Sequence, residues 1–137
     1  MNKYLPGLLL LMPLFLMLLL AACNNERIMM PIQEWQGISF EVETRPPKAV
    51  AGMNEFVIIA SRGRRPVADV ILSIKIMGPG EWKQAIQDGH VGVFRKSILV
   101  KNPLESSLLV RIRHSQVNNK SETILEFPLR QQSIPAN

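Results

Sequence analysis

The chain has 137 residues, 47% of them hydrophobic, with 16 Lys and Arg residues against 11 Asp and Glu and a single cysteine. This length holds one domain, so large multidomain enzymes are excluded. The net charge of +5 is modest, and one cysteine cannot form a disulfide within the chain, so stability has to come from packing.

Hydrophobic residues are concentrated at the amino terminus. Lys3 is followed by residues 4–22, which contain no charged side chain and end in two alanines. This order of a positive, an apolar and a small-residue region is typical of a secretory signal peptide. A retained membrane-spanning anchor is the alternative, but Pro6 and Pro13 disfavour a continuous helix in this run.

The end of the apolar run, Leu20-Ala21-Ala22-Cys23, resembles the lipobox of bacterial lipoproteins. The resemblance implies cleavage before Cys23 and lipid attachment to its sulfur. Several acyl chains anchor a protein durably, because each buried methylene contributes about 0.8 kcal/mol. Asn24, in place of Asp, implies a periplasm-facing location on the outer membrane of a Gram-negative cell. An ordinary signal peptide followed by a buried or incidental thiol is the alternative.

Four segments are predicted along the chain. Residues 1–22 form the lipoprotein signal peptide, and residues 23–37 contain the lipid attachment and a tether without a sustained period. Residues 38–130 carry the period-two alternation of half-buried strands and are predicted to form the folded domain. Residues 131–137 are predicted to be a tail.

Alternation and turn residues divide the folded domain into short strands. The predicted strands cover residues 38–43, 56–61, 70–76, 91–100, 108–113 and 125–129. The run at 56–61 is apolar on both sides, which indicates a central strand, whereas 81–87 fits a strand or a helical turn. Gly92 lies inside a predicted strand and indicates a bulge or a close approach of another backbone. Six to seven short, evenly spaced strands predict an all-β fold, a small β-sandwich.

The turn residues of this domain resemble those of small immunoglobulin-like modules of bacterial envelope proteins, the YtkA-like and FixH-like group. The similar parts are Gly52 before residues 54–61, the turn and strand at 63–70, and Asp88-Gly-His-Val-Gly92-Val-Phe94. The resemblance implies an immunoglobulin-like sandwich. FixH-like proteins are associated with cation handling and oxidase assembly, which adds metal handling as an alternative function.

Candidate metal ligands are few, because the chain has two histidines. A copper site would use His90, His114 and Met77, since imidazole and thioether ligands suit copper. Their spacing is not that of a known ligand set, so no metal site or cofactor is predicted, and these three residues are only weak candidates.

Catalytic patterns are missing from the sequence. There is no Gly-x-Ser-x-Gly elbow and no Gly-rich phosphate loop, and the lipid occupies Cys23. The chain is therefore predicted not to be an enzyme, and we expect no small-molecule substrate.

Basic and aromatic residues are the remaining candidates for function. The candidate interaction residues are Arg62, Arg64 and Arg65 in one turn, Arg111 and Arg113 on the exposed side of one strand, and Trp35 at the end of the tether. No aromatic residues alternate with the arginines, so nucleic acid is not expected as a partner. The arginines are expected either to contact an anionic envelope partner or to form solvated loops, and Trp35 either packs on the domain or contacts a partner.

Together these features predict a non-enzymatic, lipid-anchored periplasmic β-sandwich. We expect it to act as an interaction or accessory subunit of a cell-envelope complex. A copper-handling accessory protein related to oxidase assembly is the alternative.

Overall fold

The structure is a computed structural model that describes residues 30–116 and 120–130. Ten β-strands and no helix occur in these residues. In chain order they are β1 (Gln33–Trp35), β2 (Ile38–Arg45), β3 (Gly52–Arg62), β4 (Arg65–Pro66), β5 (Val70–Ile76), β6 (Lys83–Gln84), β7 (Ile86–Gln87), β8 (Val93–Val100), β9 (Ser107–His114) and β10 (Glu122–Pro128). The predicted signal peptide and tail lie outside the described residues.

The strands form two antiparallel sheets. The first sheet has the order β1-β2-β3-β8-β7, with β4 paired to β3, and the second has the order β10-β9-β5-β6. The predicted all-β sandwich is confirmed. Ten strands replace the expected six or seven, because β1, β4, β6 and β7 are only two or three residues long and carry no alternation of their own.

The core lies between the inward faces of the two sheets. Alternate residues of β2 and β9 are buried, as a strand with one face on a core requires. The largest fully buried side chains are Phe40, Phe56, Phe127, Ile38, Ile58, Leu72, Ile74, Leu108, Ile112, Val42, Val100 and Val110. Full burial of a side chain of this kind contributes about 1.5–3 kcal/mol, so the core is the main source of stability.

The central position of β3 explains its unbroken apolar run. It pairs with β2 on one side and β8 on the other. Val57 faces outward between its cross-strand neighbours Glu43 and Arg95, yet it is almost completely buried. The outer face of a central strand is thus covered by neighbouring side chains, and the prediction for residues 56–61 is confirmed.

Gly92 lies where two segments of backbone meet. Its φ is +77°, and its carbonyl accepts a hydrogen bond from the Ala60 amide at 2.8 Å. A Cβ at this position would lie 2.8 Å from the Ala60 oxygen and from the Pro66 Cβ. The predicted close approach of backbone is therefore confirmed, and only glycine fits here without displacement.

The segment at residues 81–87 crosses from one sheet to the other. β6 pairs with β5 in the second sheet, and β7 pairs with β8 in the first. Between them the buried Ala85 donates its amide to the Leu72 carbonyl at 2.9 Å. Of the two predicted alternatives, extended structure is the correct one.

β1 lies in the segment that was expected to be tether. It pairs with β2 through a two-residue turn in which Gln36 and Gly37 both have positive φ, the geometry of a type I′ hairpin. Trp35 packs against the core. The folded unit therefore starts before residue 38, since pairing with β2 stabilises a strand that its own sequence does not specify.

The connections lie at two ends of the sandwich. The upper end, as we call it, holds residues 36–37, 63–64, 67–69, 88–92 and 115–116; the lower end holds residues 46–51, 77–82 and 101–106.

In the part of the chain that the structure describes, there is no helix of the length and apolar character needed to cross a membrane.

Candidate interaction surface

The outer face of the second sheet carries most of the candidate chemistry. We call this surface the basic face and define it by Lys75, Trp82, Leu109, Arg111 and Arg113. Alternation in β9 buries every second residue and turns both arginine side chains outward. The predicted exposed side of this strand is therefore observed.

Strand register fixes what surrounds each arginine. Arg111 lies opposite Ser73 of β5 and Ile124 of β10. Arg113, two residues nearer the upper end, lies opposite Ile71 and Glu122. Directly opposed side chains on one face are in contact range, so Arg113 has an acidic neighbour in its own row, whereas the carboxylates nearest to Arg111, Glu122 and Glu126, lie in the adjacent rows of β10.

Trp82 lies beneath two cations on this face. The Arg111 guanidinium carbon is 4.6 Å from the centre of the indole ring, and the Lys75 Nζ is 5.4 Å from it. Lys75 Nζ also donates to the Gly78 carbonyl at 3.1 Å. Each cation–π contact contributes about 0.5–1 kcal/mol at an exposed site. The ring thus holds the two positive side chains in defined positions.

Sequence reasoning did not assign Trp82 a role. Trp82 comes two residues before Gln84, which pairs with Ser73, so it reaches the same side of the sheet as Lys75. This placement depends on the pairing of a two-residue strand. The only signal in the sequence is an aromatic residue beside a turn, which does not reveal its cationic neighbours.

Trp35 and His114, two separately predicted candidates, are in contact. Their rings lie 5.1 Å apart at an interplanar angle of 34°. His114 Nε2 donates to Gln36 Oε1 at 2.8 Å, because that amide oxygen can only accept. Both side chains are half-buried. Trp35 therefore packs on the domain, which is one of the two roles expected for it.

A cavity of about 370 Å³ opens beside His114 at the upper end. The described residues that line it are Ile71, Arg113, His114, Ser115, Gln116, Lys120 and Glu122. Two full cations and one carboxylate line a space that is large enough for a side chain. The cavity continues the basic face, since Ile71, Arg113 and Glu122 belong to the same row of that face.

The arginine turn at residues 62–65 lies in the other sheet. Arg62 and Arg65 pair across the β3–β4 hairpin, and Arg64 lies in its turn. All three are exposed at the upper end. The structure therefore divides the predicted arginines into two groups, one on the basic face and one on the first sheet.

The three weak copper candidates are not brought together. Met77 donates its amide to the Ser107 carbonyl at the start of β9, whereas His114 ends that strand. A strand of this length spans roughly 23 Å, so these two residues cannot share an ion. His90 is exposed in the loop before β8. Among residues 30–116 and 120–130, no three His, Cys, Asp or Glu side chains are grouped to hold a metal ion. Cys23, the predicted lipid attachment site, lies outside the described residues.

No protein-family model, no curated protein and no solved structure matches this chain. The class of protein is therefore given by its own fold and surface, a small two-sheet β-sandwich with a basic, aromatic outer face and a cavity at one end of that face.

Proposed function

We propose that the protein is a non-enzymatic, lipid-anchored, periplasm-facing subunit of a cell-envelope complex, and that its basic face binds an acidic surface of a partner protein. The carrying observation is Trp82, which holds Arg111 and Lys75 over one ring on an outward sheet face. The lipobox-like residues 20–23 support the anchored location.

The chemistry of the basic face suits protein recognition. Tryptophan and arginine dominate the residues that contribute most binding energy in protein interfaces. Because the ring restrains Arg111 before binding, less conformational entropy is lost when a carboxylate pairs with it. Positive charge on the face also accelerates encounter with an acidic partner.

The cavity gives this surface a specific feature. An acidic or amide side chain that enters it meets Arg113 and Lys120, while Glu122 repels a second carboxylate. This arrangement favours a partner that presents one acidic side chain at this point and disfavours a dense acidic cluster.

The lipid anchor strengthens such an interaction. A subunit confined to a membrane meets membrane-bound partners at a raised effective concentration, so a weak contact is sufficient.

The test is site-specific photocrosslinking in cells. A photoreactive residue in place of Ser73, beside Arg111, should give a discrete adduct with an envelope protein. The matched control replaces Ser97, which lies on β8 of the first sheet and is exposed. Equal adducts at both positions, or none at Ser73, would contradict the proposal.

Charge reversal shows which arginines matter. Arg111→Glu should lower the Ser73 adduct about tenfold, because one strong ion pair contributes about 1.4 kcal/mol or more. Arg64→Glu makes the same charge change on the first sheet and should leave the adduct within about twofold. If both variants reduce it equally, general charge and not the basic face drives the association.

The anchor is tested separately. Cys23→Ser should leave the precursor unprocessed, so that it retains the apolar residues 4–22 and carries no lipid. Mass spectrometry of the mature amino-terminal peptide should show an acylated cysteine in the unaltered protein. A processed Cys23→Ser protein that still partitions with membranes would overturn the lipid attachment.

A further inference from the structure

Exposed apolar side chains are concentrated at the lower end of the sandwich. Five of the large hydrophobic residues that are exposed in the described chain lie there: Val50, Met53, Met77, Leu99 and Leu104. Leu104 is 64% exposed and Met53 is 61% exposed, so most of the surface of each residue faces solvent and not the core. Single exposed hydrophobic residues are common, but a cluster at one end indicates a contact surface.

Two loops present these residues in fixed positions. In the first, the buried Asn54 accepts from the Val50 amide at 2.9 Å and donates to the Val50 and Gly52 carbonyls at 2.7 and 3.0 Å. Thr44 Oγ1 donates to the Pro47 carbonyl at 3.1 Å. This loop is therefore held in place while Val50 projects from it, with Lys48 exposed nearby.

The second loop follows β8. The Asn102 side chain accepts from the Leu104 amide at 3.2 Å and donates to Glu105 Oε2 at 2.8 Å. These bonds form a turn of the Asx type, with Leu104 at its tip. Lys101 precedes it and is exposed. Both loops thus combine an exposed aliphatic side chain with a neighbouring lysine, and the second loop also carries the exposed Glu105, which is bonded to Asn102.

A cross-strand pair continues this surface onto the first sheet. Met53 and Leu99 lie directly opposite each other where β3 begins and β8 ends. Both are on the outer face, and opposed side chains there are within contact distance. The apolar surface therefore reaches from the loop tips to the lower edge of the sheet.

The amino-terminal chain enters from the same side. β1 is antiparallel to β2 and runs toward the turn at residues 36–37, so the described residues 30–32 approach β1 from the direction of the lower end. Cys23 lies seven positions before Met30, and a chain of that length spans at most about 25 Å. A lipid on Cys23 would therefore hold the lower end close to the bilayer surface.

We propose that the lower end rests on the membrane, with Val50, Leu104 and the Met53–Leu99 pair in the headgroup layer and Lys48 and Lys101 at anionic lipid phosphates. This inference rests on the proposed lipid anchor. Apolar side chains gain free energy at the interface, and a lysine near an anionic bilayer adds about 1 kcal/mol. The anchor makes such weak contacts effective, and the orientation directs the upper-end cavity away from the bilayer.

The experiment measures membrane depth on the mature lipoprotein in liposomes of phosphatidylethanolamine with 30% phosphatidylglycerol, a composition that we choose as roughly that of anionic envelope membranes. Spin labels are attached to single introduced cysteines in Leu104→Cys and, as the control, Arg64→Cys; an acylated Cys23 does not react. For the Leu104 label, accessibility to oxygen relative to a water-soluble nickel chelate should be about fivefold higher than for the Arg64 label. Equal ratios at the two positions would overturn the proposal.

Charge and lipid composition provide a second readout. Lys48→Glu combined with Lys101→Glu should reduce the Leu104 ratio at least twofold in anionic liposomes and leave it unchanged in purely zwitterionic ones. Shielding of the Leu104 label in native membranes but not in liposomes would mean that a protein covers the lower end, which also overturns the proposal.

Failure of the anchor is distinguishable from failure of this inference. If Cys23 carries no lipid, it reacts with the thiol label and the protein does not associate with liposomes at all. If Cys23 is acylated and the protein associates, but both labels are equally exposed to water, then the anchor is correct and the membrane contact is wrong.

Discussion

At Gly92 one hydrogen atom in place of a methyl group allows two backbones to meet. Gly92→Ala should destabilise the fold by about 3 kcal/mol, because a Cβ would overlap the Ala60 oxygen and the positive φ adds strain. Gly89→Ala is the matched control, since its φ of +69° is similar but its surroundings are open. That control should cost about 1 kcal/mol. Urea unfolding of the two variants measures the difference, and equal losses would mean that the close contact of Gly92 with Ala60 does not contribute to stability.

Asn54 should be among the most sensitive polar positions. Asn54→Ala removes three hydrogen bonds made by a buried side chain and takes this partner from the Val50 amide and from the Val50 and Gly52 carbonyls, so we expect a loss of about 3 kcal/mol in the free energy of unfolding. Asn102→Ala removes similar bonds in an exposed loop, where water replaces them, and should cost less than about 1 kcal/mol. Thermal unfolding compares them, and a comparable loss in both would contradict the role of burial.

Single residues differ in how far the sequence reveals them. Gly92 is predictable, because a glycine inside an apolar strand pattern usually marks a bulge or a close backbone approach. The contact of Trp35 with His114 is not predictable, since 78 positions separate His114 from its hydrogen-bond partner Gln36 and only the folded pairing brings them together. Cys23 depends on its local motif alone, and the lipid attachment there stays a prediction.

At the level of strands and faces, the contribution of the Trp82–Arg111 contact to stability can be measured. A double-mutant cycle with Trp82→Leu and Arg111→Met, in which methionine retains most of the aliphatic stem, should give a coupling free energy of about 0.5–1 kcal/mol. The same cycle with Arg113→Met should give a coupling near zero, because Arg113 lies two residues further along β9. Urea unfolding at low salt provides both values. Equal couplings would show that the ring contact does not organise this face.

Strand prediction succeeded where an element has its own alternation. β2, β5 and β9 bury every second residue, so their sequences specify both the strand and the side that faces the core. β1 and β6 were missed or left open, because strands of two or three residues exist only through pairing with a neighbour. The register of β6 in turn places Trp82, so the basic face could be predicted only in part, through Arg111 and Arg113.

For the whole molecule, a single shared core predicts a single unfolding transition. Trp35 packs at the β1 edge of the core, and Trp82 lies on the outer face of the second sheet, so their fluorescence monitors different sheets. Trp35→Phe and Trp82→Phe leave one tryptophan each. In each variant, urea unfolding measured by tryptophan fluorescence and by far-UV circular dichroism should have the same midpoint. Small single domains usually unfold in this all-or-none manner. A fluorescence transition that precedes the circular dichroism transition in either variant would show that the sheets unfold separately.

The free edges of the two sheets determine where molecules crowded on a surface can pair with one another. β1, β6 and β7 end their sheets with only two or three residues, and β10 is the one long edge strand among the described residues. Along β10 the Gln33 Nε2 donates to the Glu126 carbonyl, and Pro128 has no amide hydrogen to offer. Molecules held in one plane collide edge to edge far more often than molecules free in solution. The short strands also leave residues 41–45 of β2 and residues 96–100 of β8 without a paired strand on one side, so on a crowded surface these two segments, together with β10, are where neighbouring sandwiches can pair edge to edge.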